Sequence, residues 1–187
     1  MKHLQQIYQK EVVPAMQKKF GYTNAMAVPR LEKVVVNIGL GKLVVDKTGK
    51  ERDKTIQGVM EDLAAITGQR PAVTQAKVSI ASFKLRKGMA SGIKVTLRGK
   101  RMEDFMERII HVVLPRSRDF RGVDPKSVDK MGNLTIGFKE HIFFPEIAPE
   151  KVHSQLGLEF TVVTTAKNRE EALELFSLLG IPFKKTE

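Results

Sequence analysis

Residues 82–101 read SFKLRKGMASGIKVTLRGKR. Seven of these twenty are Lys or Arg, and none is Asp or Glu. A charge run usually marks a solvated face or a disordered tail, but a tail has no use for bulky apolar residues between the cations. In a strand, alternate side chains face opposite ways. Ile93, Val95 and Leu97 then share one face, and Lys94, Thr96 and Arg98 take the other. Before them, Phe83 and Leu85 fall together, opposite Lys84 and Arg86. Gly88 and Gly92 bracket a turn region. The stretch predicts a hairpin with an apolar side for a core and a basic side for solvent or an anionic partner. Its tip is the basic loop RKGMASG (86–92), capped by an exposed Met89.

The charge extends outward from this hairpin. No acidic residue occurs from Leu63 to Met102, a span that also holds Arg70, Lys77, Lys100 and Arg101. Its nine cations account for most of a formal net charge of +11. From Asn168 onward the chain is slightly acidic, with three basic residues against four acidic. A solvated face normally intersperses both signs. One-sided excess on this scale is the footprint expected for nucleic-acid binding.

The 187 residues are enough for one domain with a real core, and we expect a single domain over 1–187. Hydrophobic content of 42% describes a soluble globular chain. The absence of cysteine removes disulfides, thiolate metal sites and cysteine nucleophiles together. No stretch approaches the ~18–20 apolar residues of a membrane span. The N-terminus MKHLQQIYQKEVV is amphipathic rather than a signal peptide. A cytoplasmic location is expected.

Leu4, Ile7, Tyr8, Val12, Ala15 and Met16 recur at helical spacing, with Pro14 kinking or dividing the helix. LEKVVVNIGL (31–40) reads as a strand ended by Gly39 and Gly41. Ile56, Val59, Met60, Leu63 and Ala64 mark a second helix stopped near Gly68. PAVTQAKVSIASFKL (71–85) is extended, with an irregularity near Ala76. Phe105, Ile109 and Val112 mark a third helix ending before Pro115, and 116–133 reads as a long loop. LTIGFKEHIFFPEI holds two short extended pieces, and LEFTVVTTA (158–166) is a strand. The last helix has Asn168 as N-cap with Glu171 three residues on, and closes at Gly180 and Pro182. These elements predict an α+β fold: a mostly antiparallel sheet, helices packed on one face, and a projecting basic hairpin loop.

Several motifs fail on inspection. DKTG (46–49) resembles the phosphorylated aspartate motif of cation pumps, but Lys50 stands where that motif has Thr. GLGKL (39–43) lacks phosphate-loop spacing. His3, His111, His141 and His153 show no paired ligand spacing, so neither a metal nor another cofactor is expected. No nucleophile motif such as GxSxG occurs.

The runs VPRLEKVVVNIGLG (28–41), LAAITGQRPAVTQAKVSIASFKLRKG (63–88), IKVTLRG (93–99), LPRSRDFRGV (114–123) and the C-terminal VVTTA and LLGIPF are those of a known family. The chain resembles the bacterial form of the large-subunit ribosomal protein "L-five" family almost end to end. Thr67, Gly68, Gln69, Thr74, Ala76 and Lys77 stand in the family signature. The resemblance implies a non-catalytic ribosomal component that binds 5S rRNA and anchors it in the central protuberance. It further implies contacts with 23S rRNA, with the P-site tRNA elbow, with the small-subunit head protein "S-thirteen" and with other central-protuberance proteins.

The family's RNA-contacting positions map onto Asn37, Gln69, Phe83 and Thr96, with Lys33, Lys77, Lys94 and Arg98 as further rRNA-binding candidates. Its tRNA-facing loop maps onto Lys84 to Gly92, with Lys84, Arg86, Lys87, Gly88 and Met89 as the contacts. Most relatives read GMPIG where this chain reads GMASG, so a more flexible loop is expected here. Two rival classes have less support. An RNA-modifying enzyme would need a cofactor motif or catalytic group, and a peripheral membrane protein would carry its charge on an amphipathic helix.

Overall fold

Strand β3 (Ala90–Leu97) shows the alternation that its sequence predicts. Ile93, Val95 and Leu97 are buried, Lys94 is exposed and Thr96 is half-buried. This comes from a computed structural model that describes residues 4–44, 47, 49–83, 85–118, 120–147 and 156–184, without the side chains of Lys42 and Phe83. The remaining strands are β1 (Leu31–Gly39), β2 (Ala72–Gln75), β4 (Leu134–Phe138) and β5 (Leu158–Thr164). They form one five-stranded antiparallel sheet in the order β2-β3-β1-β5-β4, with helices packed against it. The fold is α+β, as the sequence pattern predicts.

The chain packs as two compact units. The first comprises Met1–Val34, Arg98–Ile136 and Thr161–Glu187, and the second Val35–Leu97 and Gly137–Phe160. In the second unit, α3 (Gly41–Val44) and α4 (Gly49–Thr67) pack on β3. Val59, Leu63 and Ile66 of α4 are buried there, as are Val36 and Ile38 of β1. Each aliphatic side chain so buried contributes about 1.5–3 kcal/mol. Phe138 stacks on Phe160 at 5.9 Å and meets Phe144 edge-on at 6.1 Å. His141 is buried in the same unit, where its Nδ1 accepts from Leu156 N at 3.2 Å and its Nε2 lies 3.8 Å from Asp62 Oδ2. Of the two extended pieces expected in 134–147, only β4 is a strand, and His141–Phe143 is a 3-10 turn.

The first unit holds α1 (Leu4–Ile7), α2 (Val13–Phe20), α5 (Gly99–Arg108), α6 (Leu114–Arg116) and α7 (Arg169–Leu178). Two π-turns, Tyr8–Val12 and Ile109–Val113, continue α1 into α2 and α5 into α6. Each comes just before a proline, Pro14 or Pro115. A proline ring clashes with the carbonyl four residues back and lacks an N–H. Widening the preceding turn relieves both, with Val13 N donating to Tyr8 O and Leu114 N to Ile109 O. The third helix therefore does not stop before Pro115, as its sequence predicts, but runs on to Arg116. Asn168 takes the N-cap position of α7 without a side-chain cap bond, and Glu171 instead accepts from Lys167 N at 3.0 Å.

Segment 116–133 is mostly irregular, as expected, but it is tied down. Val123 N donates to Pro182 O at 2.8 Å, and the Asp129 carboxylate accepts from Met131 N, Asn133 N and Asn133 Nδ2. These bonds hold the carboxyl of Asp129 below its ordinary range, against the effect of burial.

Candidate nucleic-acid interface

The polar side of β3 faces away from the buried row, and β2 and β1 flank it. β2 pairs with β3 antiparallel, setting Ala72 opposite Lys94 and Thr74 opposite Gly92. In β1, Val36 and Ile38 are buried and Asn37 between them is exposed. The second unit thus carries Asn37, Thr74 and Thr96, all neutral and polar, with the cation Lys94 on an open strand face. The side chain of Asn37 makes no hydrogen bond among the described residues.

Gln69 joins this group through the end of α4. Gly68, at φ +66, takes the left-handed conformation that closes the helix, and its N–H donates to Ala64 O at 2.8 Å. The buried Thr67 hydroxyl donates to Leu63 O at 2.7 Å and accepts from Gln69 N at 3.4 Å. The chain is thereby turned so that Gln69 Nε2 donates to Thr96 O at 3.3 Å. Gln69 is a positioned side chain on the β3 backbone rather than a swinging one.

Lys33 and Arg98 belong to the first unit. Both approach Glu32 Oε1, Arg98 Nη1 at 3.4 Å and Lys33 Nζ at 3.8 Å. Exposed pairs of this kind contribute about 0–1 kcal/mol, so Glu32 offsets part of their charge without burying it.

The hairpin differs from its sequence reading. β2 ends at Gln75, where the register slips between Thr74 and Gln75. The chain then leaves the ladder in a folded excursion, 76–89. Ala76 N donates to Met89 O at 2.8 Å and Gly88 N to Ala76 O at 3.0 Å, closing its neck. Ile80 and Leu85 bridge to each other around a 3-10 turn, Ala81–Phe83. Phe83 and Arg86 therefore lie outside any strand, Leu85 forms only that isolated bridge, and the alternation inferred for this stretch does not hold. The Ser79 hydroxyl accepts from Lys87 N at 2.9 Å, a local bond that competes with continued pairing.

The tip of the hairpin is that turn rather than 86–92. Arg86–Met89 form a turn near the neck, with Met89 N donating to Arg86 O at 3.0 Å. Met89 is half-buried, not exposed, and its sulfur accepts from Arg86 N at 3.2 Å. Ala90–Gly92 are the first residues of β3, with Ala90 opposite Gln75, so this stretch is not the flexible loop expected there. Lys77, Arg86, Lys87 and Gly88 are exposed. Lys84 and the side chain of Phe83 lie outside the described residues.

Of the motifs set aside earlier, GLGKL ends β1 at Gly39 and opens α3 at Gly41, and Gly49 of DKTG opens α4. Asp46, Thr48, His3 and His153 lie outside the described residues. Among the described residues, no three His, Asp or Glu side chains could jointly hold a metal, and no helix is long and apolar enough to cross a membrane.

Family models match nearly the whole chain: that of ribosomal protein L5 over residues 24–86, and that of the same ribosomal family's C-terminus over residues 90–183. The chain belongs to the uL5 family. Proteins named large ribosomal subunit protein uL5 are similar to it over their full length. That of Halothermothrix orenii is 53% identical over 185 residues, covering 99% of this chain and 100% of the relative. That of Dictyoglomus thermophilum is 54% identical over 185 residues, with the same coverage. That of Symbiobacterium thermophilum is 53% identical over 183 residues, 98% of each. The chain is accordingly a structural, rRNA-binding protein of the large ribosomal subunit, on the cytoplasmic ribosome, and not an enzyme. The rival reading as an RNA-modifying enzyme falls away.

Sequence reasoning missed two residues of the open face, Thr74 as a surface group and Gly92 as a strand residue. The available signal was parity. Once the strand is begun at Ala90, Gly92 shares the polar face with Lys94 and Thr96.

Proposed function

We propose that the chain binds 5S rRNA and anchors it in the central protuberance, acting over 1–187 as a single 5S rRNA-binding domain. Asn37, Gln69, Lys94 and Thr96 contact 5S rRNA, joined by Lys33, Lys77, Phe83 and Arg98. Lys84, Arg86, Lys87, Gly88 and Met89 meet the P-site tRNA elbow. Contacts with 23S rRNA, with the small-subunit head protein S-thirteen and with neighbouring central-protuberance proteins complete the set. The observation that supports this reading best is the exposed Asn37 amide, on the same unit as the Gln69–Thr96 bond and the exposed Lys94. Amides read base edges and 2′-hydroxyls, and a cation on the same face engages phosphate.

The test is a binding titration and footprint of the purified chain on 5S rRNA, against a structured RNA of equal length. Preferential binding with a bounded footprint is expected. Equal affinity for both RNAs would overturn the 5S assignment.

A further inference from the structure

Gly92 lies in the middle of the open strand face, yet it is buried. A Cβ placed on it would stand 3.0 Å from Ile38 O, 3.2 Å from Thr74 Oγ1 and 3.7 Å from Asn37 Oδ1. Its backbone is not in the left-handed region, so torsion does not call for glycine here. Space does. Glycine inside a strand weakens it and marks a close approach of other groups. Here the approaching groups are the Thr74 hydroxyl from β2 on one side, and the Ile38 carbonyl and Asn37 carboxamide from β1 on the other. Thr74, Gly92 and Asn37 therefore make a row across three adjacent strands.

Neither polar side chain of the row is committed. The side chains of Thr74 and Asn37 make no hydrogen bond among the described residues. Two polar groups that lean toward one bare α-carbon, each able to donate and to accept, form a narrow notch. Lys94 is two residues along the same face and exposed.

We propose that this row reads the ribose 2′-hydroxyl of the bound RNA, with Thr74 a contacting residue and Gly92 the positioning residue that sets the notch width. The inference rests on the reading of the Asn37 face as the 5S rRNA site. A 2′-hydroxyl is itself donor and acceptor, which matches Thr74 and Asn37 in either direction. A base edge presents a fixed pattern that suits a bidentate amide better than a hydroxyl and an amide set either side of a bare strand. With the sugar in the notch, the adjoining phosphate comes within the range of Lys94. The row would thus separate RNA from DNA of the same sequence, which phosphate contacts alone do not.

The experiment measures affinity for 5S rRNA with wild-type chain, Thr74→Val, Thr74→Ser, Gly92→Ala and Asn37→Ala, each with a thermal melt. The same titrations use 5S rRNA carrying single 2′-deoxy substitutions within the footprint. Thr74→Val keeps the shape and loses the hydroxyl, so affinity should fall roughly threefold to tenfold, the size of one hydrogen bond, with the melt unchanged. Thr74→Ser should retain it. Gly92→Ala should lose at least as much, and if it fails to fold the Thr74 pair still decides. At one footprint position the deoxy substitution should weaken wild type and leave Thr74→Val unaffected. Wild-type affinity in Thr74→Val, alongside a loss in Asn37→Ala, would overturn the row while sparing the face. Wild-type affinity in both would overturn the face itself. A Thr74→Val loss with no such deoxy position would overturn the assignment to ribose.

Discussion

The open face of β1–β3 and the 76–89 excursion are opposite solutions to one problem, the display of positive charge. Both draw on the acid-free run Leu63–Met102. On the face, a ladder and a packed α4 hold each backbone position, so Asn37, Lys94 and Thr96 stand at spacings set by the sheet. In the excursion, a few backbone bonds close the neck, and Lys77, Arg86 and Lys87 stand on turns. Val78 and Ile80 are exposed there, 66% and 43%, whereas Ile93, Val95 and Leu97 of β3 are buried. Rigid spacing suits reading an RNA's shape, whereas a folded loop with cations at its turns suits a broader phosphate surface. The same composition therefore serves two kinds of contact, and only the backbone beneath distinguishes them.

Salt gives the largest test of that division. If the face and the first unit's Lys33 and Arg98 engage several 5S phosphates, log affinity should fall with log salt by about 0.7–0.9 for each. Six such contacts would cost about a thousandfold between roughly 50 and 200 mM salt. An affinity indifferent to salt would remove the electrostatic half of the comparison.

Asn37→Ala comes next. It should weaken 5S rRNA binding by about 1–3 kcal/mol, since a polar partner is left stranded in the complex. The melting temperature should hold, because the Asn37 side chain makes no internal hydrogen bond among the described residues. A lower melting temperature with intact affinity would make Asn37 a structural residue and dissolve the distinction.

Neutralising Arg86 and Lys87 to Gln should act on the other region alone. Retention of P-site tRNA should weaken by about 0.2–1 kcal/mol for each exposed pair lost, read as a faster tRNA dissociation rate. The 5S content of gradient-purified subunits should not change. If it falls as far as in a double Asn37/Gln69 variant, the excursion belongs to the 5S site. Deleting Met89–Ser91 would not be an equivalent experiment. Ser91 O accepts from Leu40 N at 3.0 Å and Ala90 pairs with Gln75, so the deletion would damage the sheet as well.

Acid should make the smallest difference, and only in the packed unit. Burial lowers the pKa of His141 below its ordinary 6.5, outweighing the opposing pull of Asp62. The folded state thus favours the neutral ring. Its contribution is present above 6.5 and is lost as pH falls through the lower folded value. The urea midpoint should drop from about pH 7 to pH 5 in wild type and drop less in His141→Gln.

Much of this was legible in the chain itself. Alternation in IKVTL set which face of β3 is polar, and the acid-free run pointed to a nucleic-acid partner, because periodicity and charge are local properties. The long helix and its stop at Gly68, the strand 31–39 and the C-terminal helix followed from the same local rules. So did the absence of disulfides, and the family motifs are linear by nature. What the linear pattern could not decide was where pairing stops. Residues 71–85 have the composition of one strand, yet the ladder ends at Gln75, just past the register slip opposite Ser91. Phe83 and Arg86 therefore lie outside any strand, and Met89 is half-buried. The helices broke their rule in the opposite direction, since a π-turn lets a packed helix pass a proline that would end an isolated one. The closing of Thr74 and Asn37 over Gly92 is likewise tertiary. It joins residues 37, 74 and 92, and the carbonyl of Ile38, which would stand 3.0 Å from a Cβ at Gly92, has no trace in either segment alone.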